Sequence, residues 1–198
     1  MIHEHISVLI PSRKEPRILE TIHSVEECFP KAQIIIANDR YGKGKGWAMR
    51  EALSHATNNI IVFIDGDMDI HPRMIKRLLY HLDEFDIVVG KKDTRKMFSR
   101  WILTLLSRAY IWLLFRVPVD TQTDVKVFWR EALPDWEDDS FAFDIEILAK
   151  AKKAGRNMFE VTVDAGRSKN MKFKSIFQTL LGSLHIYKRL RKGKQRGS

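Results

Sequence analysis

In Ile60-Ile61-Val62-Phe63-Ile64-Asp65-Gly66-Asp67-Met68-Asp69, five apolar residues run without interruption into three carboxylates at every second position. A short apolar run with no alternation is the pattern of a strand covered on both faces. The carboxylates at its end repel one another unless a cation neutralises them. A hard divalent ion with oxygen ligands, Mg2+ or Mn2+, is the natural partner. The same aspartates also read as a turn with helix-capping residues ahead of Pro72, and the spacing leaves both readings open. An EF-hand does not fit, because the glycine and the terminal glutamate fall at the wrong offsets.

Outward from this strand, the first 90 residues alternate strand and helix. Strands are expected at His5 to Pro11, Gln33 to Ala37, Asn59 to Ile64 and Asp86 to Val89. Helices are expected at Pro16 to Cys28, Trp47 to Ala56 and His71 to Leu82, with Pro16 suited to a first helical turn. This alternation predicts an α/β fold with a mostly parallel sheet covered on both faces. Ligands of such sheets sit at the carboxyl ends of the strands, where Ser12–Glu15, Asn38–Gly46 and Asp65–Asp69 should meet. The second half is less regular. Met97 to Phe115, Phe141 to Ala154 and Ser175 to Leu190 read as helices, and Val125 to Trp129 and Phe159 to Val163 as strands.

The 198 residues fit one domain, placed at 1–186, followed by a basic tail at 187–198. The net charge of +9 is distributed unevenly. From Lys150 onward there are fourteen lysines and arginines against Glu160 and Asp164, a net +12, which leaves −3 on residues 1–149. The bias points to an anionic partner or to a solubilising tail. The single cysteine, Cys28, excludes an internal disulfide and a cysteine-rich zinc site. Met1-Ile2-His3-Glu4-His5 lacks the basic-then-apolar order of a signal peptide, and no apolar run reaches the roughly 20 residues of a spanning helix. A nucleic-acid partner is not expected, since it explains the basic end but not the aspartates.

Together these motifs resemble glycosyltransferase family 2. The residues that carry the resemblance are Pro11-Ser12-Arg13-Lys14-Glu15 after the first strand, Asn38-Asp39 after the second, Gly44-Lys45-Gly46 at a helix start and the Asp-x-Asp motif after the third. The chain departs from the usual family pattern in lacking Tyr-Asn before Glu15 and in its short loop after Asp39. The resemblance implies a GT-A fold and a nucleotide-sugar donor bound by Pro11, Ser12, Glu15, Asp39, Lys45, Asp65, Gly66 and Asp67. It further implies a Mg2+ or Mn2+ ion on Asp67 and Asp69, with Asp67 as a catalytic residue.

The second half resembles the polyprenyl-phosphate sugar synthases of that family, the dolichyl-phosphate mannose synthases and glucosyltransferases. The matching pieces are Asp120-Thr121-Gln122-Thr123-Asp124-Val125-Lys126, where Asp124-Val125 replaces Gly-Phe, then Phe141-Ala142-Phe143-Asp144-Ile145-Glu146 at a helix start, Glu160-Val161, Gly166-Arg167-Ser168-Lys169, and Arg100 with Thr104. The implied reaction is an inverting transfer of a sugar from a GDP- or UDP-sugar to a polyprenyl or dolichyl phosphate. Arg100, Arg167 and Lys169 are the expected catalytic cations, holding the acceptor phosphate with Lys91 and Thr104. In the helix at 97–116, Arg100, Thr104 and Ser107/Arg108 form one polar stripe. The expectation is an amphipathic helix lying in a membrane interface, with its Leu and aromatic face in lipid; a core helix is the alternative. An anionic membrane surface is the expected partner, with the protein peripheral on the cytoplasmic face and a membrane partner subunit conceivable. Three other readings stay open: a transferase with a soluble sugar acceptor, for which Asp144 or Glu146 would serve as general base; a nucleotidyltransferase, disfavoured by the lack of glycine in Ser12-Arg13-Lys14; and a non-catalytic subunit.

Overall fold

Six strands form one sheet in the order β2-β1-β3-β5-β4-β6. They are β1 (Ile6–Ser12), β2 (Gln33–Asn38), β3 (Ile60–Ile64), β4 (Ile87–Lys92), β5 (Val125–Trp129) and β6 (Met158–Val163). The structure is a computed structural model that describes residues 4–12, 15–92, 98–121, 123–164 and 181–191, and of residues 98–104 the backbone only. β1 pairs in parallel with β2 and β3, and β4 with β6. β5 lies between β3 and β4 and is antiparallel to both, with Ile64 opposite Val125 and Val89 opposite Lys126. The predicted mostly parallel sheet is present, with one reversed strand that local sequence does not announce.

Five helices of 7 to 18 residues accompany the sheet: α1 (Ile18–Cys28), α2 (Lys45–Ser54), α3 (Ile75–His81), α4 (Phe98–Phe115) and α5 (Phe143–Lys153). Residues 181–191 form a further helix, α6. α1 and α3 cover one face, where Val25, Ile75, Leu78 and Leu79 pack on Val8, Ile10, Val62, Ile64, Val88 and Val127. α2, α5 and α4 cover the other, where Ala48, Met49, Ile145, Leu148 and Ile111 pack on Leu9, Ile61, Phe63, Val89 and Phe128. All five residues of β3 are buried because alternate side chains feed the two cores. The predicted helix from His71 begins as a 3-10 turn at Pro72–Met74, where His71 Nδ1 accepts the Arg73 N–H at 3.2 Å.

α4 corrects the expected orientation of its stripes. Arg108 turns inward to Glu160 at 3.0 Å, and Tyr110, Ile111 and Phe115 pack on the core. Leu105, Leu106, Trp112 and Leu113 face outward. The Leu and Trp residues of α4 are therefore exposed, while Arg108 of the polar stripe faces the sheet. The boundary expected at 186/187 falls inside α6, whose Ile186 is buried and whose Leu190 packs on the core. No helix among the described residues is long and apolar enough to cross a membrane.

Candidate active site

The parallel strands end at one edge of the sheet, and β5, running the other way, begins there. The edge therefore collects Ser12, Asn38, Ile64 and Lys92 from strand ends, and Asp124 from the residue before a strand start. A cleft of about 710 Å³ opens on it. Pro11, Ser12, Glu15, Asp39, Lys45, Asp65, Gly66 and Asp67 all line this cleft. The residues assigned to the nucleotide sugar from sequence are thus brought together, from three loops spread over residues 11–67.

Each loop is held by its own contacts. The Asp39 carboxylate accepts the N–H of Lys43 at 2.8 Å and of Gly44 at 3.0 Å, folding the short loop back on itself. Lys45 Nζ reaches Asp65 Oδ1 at 2.8 Å. Burial opposes the Lys45 charge, but Asp65 and Asp144 outweigh it and hold the ammonium above the ordinary lysine range. The turn after β3 is clamped by α1, with Arg17 donating to the Asp67 carbonyl at 3.2 Å and Thr21 to that of Gly66 at 2.9 Å. A Cβ on Gly66 would stand 2.7 Å from Ile18 Cδ1, so a larger residue there would have to displace that methyl group of α1. Met68 is left-handed, at φ 58°, and turns the Asp69 N–H onto Asp67 Oδ1 at 3.1 Å.

Asp69 does not line the cleft with its neighbours. Its carboxylate is 9% exposed, and Lys92 lies in contact with one oxygen of it and one of Asp124. The other Asp69 oxygen is buried without a hydrogen-bond partner among the described residues. Burial works against the Lys92 charge, yet Asp124 and Asp69 hold it above the ordinary lysine value. Burial and the nearby Asp65 charge push the Asp124 carboxyl up, with Lys92 pulling the other way. Among the described residues no three carboxylates, histidines or cysteines converge as a closed metal site. Mg2+-type ions in transferases use one or two carboxylates and complete their shell with substrate phosphates and water. Asp67 on the cleft, with the unpartnered oxygen of Asp69 two residues on, fits that kind of site.

The expected acceptor residues are less completely placed. Lys91 is paired with Glu160 at 3.0 Å, beside Arg108, so its charge is already met. Arg100 and Thr104 lie on α4, but their side chains are outside the described residues, as are Arg167 and Lys169. Glu146 is fully buried and ion-paired to Lys150 at 2.8 Å, which removes it as a general base. Asp144 faces Lys126 at 3.1 Å.

One wall of the cleft runs from Asp138 to Ala142; sequence reading missed Asp138 to Ser140 and had Phe141-Ala142 only as part of a helix-start motif. This loop lies against the start of α2. The Gly46 N–H donates to the Asp139 carbonyl at 2.9 Å, Trp136 Nε1 donates to the Gly46 carbonyl at 2.9 Å, and Arg50 pairs with Asp139 at 2.5 Å. A Cβ on Gly44 or Gly46 would fall 2.1 or 2.2 Å from a carbonyl oxygen of the wall. Gly44 and Gly46, read from sequence as a helix start, are the seat of this wall, and Trp136 was the available signal.

Comparison with known proteins agrees with this geometry. Residues 40–124 match glycosyl transferase family 2. A glycosyltransferase of Haloferax volcanii, AglD, is 26% identical over 80% of this chain, which spans 32% of that relative's length. Glucosyl-3-phosphoglycerate synthase of Mycobacterium tuberculosis, solved with Mn2+ and UDP-glucose, superposes with a TM-score of 0.72 at 16% identity, over 90% of this chain and 76% of the other. Mannosyl-3-phosphoglycerate synthase of Rubrobacter xylanophilus does so with 0.73 at 18% identity, over 96% and 75%. At such identities the superpositions establish the fold, which is GT-A. The sequence match to glycosyl transferase family 2 runs through the loop, the strand and the aspartates of the cleft, and over that stretch the chain is similar to that family.

Proposed function

We propose that this protein transfers a sugar from a nucleoside diphosphate sugar to a phosphate-bearing acceptor, and that the acceptor is a polyprenyl phosphate presented at a membrane surface. One observation carries the donor half: eight residues chosen from sequence motifs line a single cleft large enough for a nucleotide sugar. We assign Glu15 and Asp39 to the base and ribose, Asp65 to the ribose or to support of the metal, and Lys45 and Asp67 to the nucleotide diphosphate. A Mg2+ or Mn2+ ion on Asp67 and Asp69 would supply charge neutralisation for the leaving diphosphate. The M. tuberculosis enzyme, crystallised with Mn2+ and UDP-glucose, supports such an ion here.

The acceptor phosphate oxygen attacks the anomeric carbon while the bond from that carbon to the nucleoside diphosphate oxygen breaks, inverting the carbon. A phosphate monoester has its second pKa near 6 and arrives largely ionised, so no general base is needed. That agrees with Glu146 being locked away and Asp144 facing a lysine. Arg100, Thr104, Arg167 and Lys169 are the residues we assign to the acceptor phosphate, where bidentate arginine both attracts and orients the nucleophile. Lys91, tied to Glu160, is a supporting residue of that side.

The lipid part of the proposal rests on α4, whose outward face is Leu105, Leu106, Trp112 and Leu113, with Arg116 stacked on Trp112 at 4.2 Å. The cytoplasmic face of an anionic membrane suits this apolar stripe and the basic residues that follow Lys188, and a membrane subunit could share it. The second reading is a soluble phosphorylated acceptor, favoured by the likeness to two 3-phosphoglycerate synthases. One assay separates them. Radiolabelled GDP- and UDP-sugars are offered with polyprenyl phosphate or 3-phosphoglycerate, with and without Mn2+. Label is expected in the organic-extractable product, dependent on metal and reduced about 100-fold or more in Asp67→Ala. Label confined to the aqueous product would establish the soluble acceptor, and no transfer from any donor would overturn the enzymatic reading.

A further inference from the structure

The cleft wall at 138–142 is held from behind. Glu146, on the first turn of α5, accepts the backbone N–H of Glu137 at 3.2 Å and of Asp138 at 2.8 Å through Oε2. Its side chain is 0% exposed, so its charge must be met inside the protein. Lys150 meets it at 2.8 Å from the same helix. The second cation is Arg189 of α6, whose Nη2 stands 2.5 Å from the same Oε2 that takes the wall's N–H groups. Arg189 Nε also lies 3.6 Å from Glu137.

α6 touches the wall a second time. A Cβ on Gly182 would stand 2.8 Å from Cβ of Ala142, itself a lining residue of the cleft. Between these two points Ile186 is fully buried and Ser183 Oγ lies 3.3 Å from the Tyr110 hydroxyl of α4. α6 also exposes Leu181 and Leu184. One helix therefore contacts both α4 and the wall of the donor cleft.

We propose that Arg189 is a positioning residue for the nucleotide, acting through Glu146 to fix the 138–142 wall, so that α6 sets donor affinity from outside the cleft. The inference rests on the reading of that cleft as the nucleotide-sugar site. A role in donor binding separates from a purely structural one by what it moves. With Arg189→Met, the donor KM and the Kd of UDP or GDP with Mn2+ should rise about three- to tenfold, as loss of this close ion pair loosens the wall. The kcat at saturating donor should stay near the parent value, and Arg189→Lys should restore most of the affinity. Gly182→Ala presses on the wall at its other contact and should give the same rise in KM, which keeps the idea testable if the arginine variant folds poorly. Amide exchange at Glu137 and Asp138 in the nucleotide-free protein should quicken in both variants.

Folded variants with parental KM and parental exchange would overturn the proposal, as would a loss confined to kcat or to acceptor KM. If the parent protein itself binds neither UDP nor GDP, the functional reading fails instead, and amide exchange still reports whether α6 holds the wall.

Discussion

At Gly46 a helix start, a buried indole and a loop carbonyl meet with no room for a methyl group. Its missing side chain lets the Asp138 carbonyl come within 2.2 Å of where a Cβ would be, and its own carbonyl takes the Trp136 N–H. Gly46→Ala should therefore destabilise the fold by about 1–3 kcal/mol, the usual cost of forcing an extra carbon into a packed site. Urea titration would measure that cost, with nucleotide binding weakened in parallel as the wall is pushed away. Such a position looks like loop flexibility in a sequence, because Gly42-Lys43-Gly44-Lys45-Gly46 carries no trace of the segment 90 residues later that presses on it. The aspartates after β3 are the opposite case. Their crowding is local, and local chemistry alone points to a cation. What local chemistry does not disclose is that Lys92 supplies part of that charge to Asp69, since the lysine arrives from a strand two places across the sheet.

Among the elements, α4 teaches most about what a helical pattern can say. Its spacing shows two faces but not which one meets the protein. The structure turns Arg108 toward Glu160 and leaves Leu106 at 62% and Leu113 at 67% exposed. Leu106→Glu with Leu113→Glu should leave thermal stability nearly unchanged, within about 0.5 kcal/mol per site. The same pair should weaken co-sedimentation with lipid vesicles, most clearly at about 0.5 M NaCl where the apolar component remains, and lower transfer to polyprenyl phosphate. Undiminished vesicle binding by that variant would remove α4 from the membrane reading. The strands were legible to within one to three residues because β-branched runs bounded by Pro, Gly and Asp are self-contained signals. The direction of β5 was not, because nothing in Val125-Lys126-Val127-Phe128-Trp129 tells a parallel strand from an antiparallel one. Its reversal is what brings Asp124 to the cleft edge. The wall at 138–142 was hidden for a similar reason, as an irregular segment made functional only by what it leans on.

At the scale of the whole molecule, charge is segregated, with residues 150–198 carrying the basic excess and the donor cleft its cluster of aspartates. Attraction to an anionic surface should then be strongly salt-dependent, since exposed charges are screened over about 10 Å at 0.1 M salt and about 3 Å at 1 M. Binding to vesicles containing phosphatidylserine should fall steeply as NaCl rises from 0.05 to about 0.5 M, leaving only the apolar component from α4 and α6. Binding that ignores salt would assign the whole effect to the apolar stripe. The strand order carries a different kind of consequence. β4 has no hydrogen-bonded neighbour among the strands made before it, because β5 fills the place between it and β3 and β6 comes last of all. As the chain emerges from a ribosome, the first three strands can zip together at once. The fourth must wait, its edge unmet, until more than thirty further residues have appeared and folded back between it and its predecessors. Assembly of this sheet is thus a matter of a late arrival closing a gap, and the interval before it is when the nascent chain most needs shelter from other exposed edges.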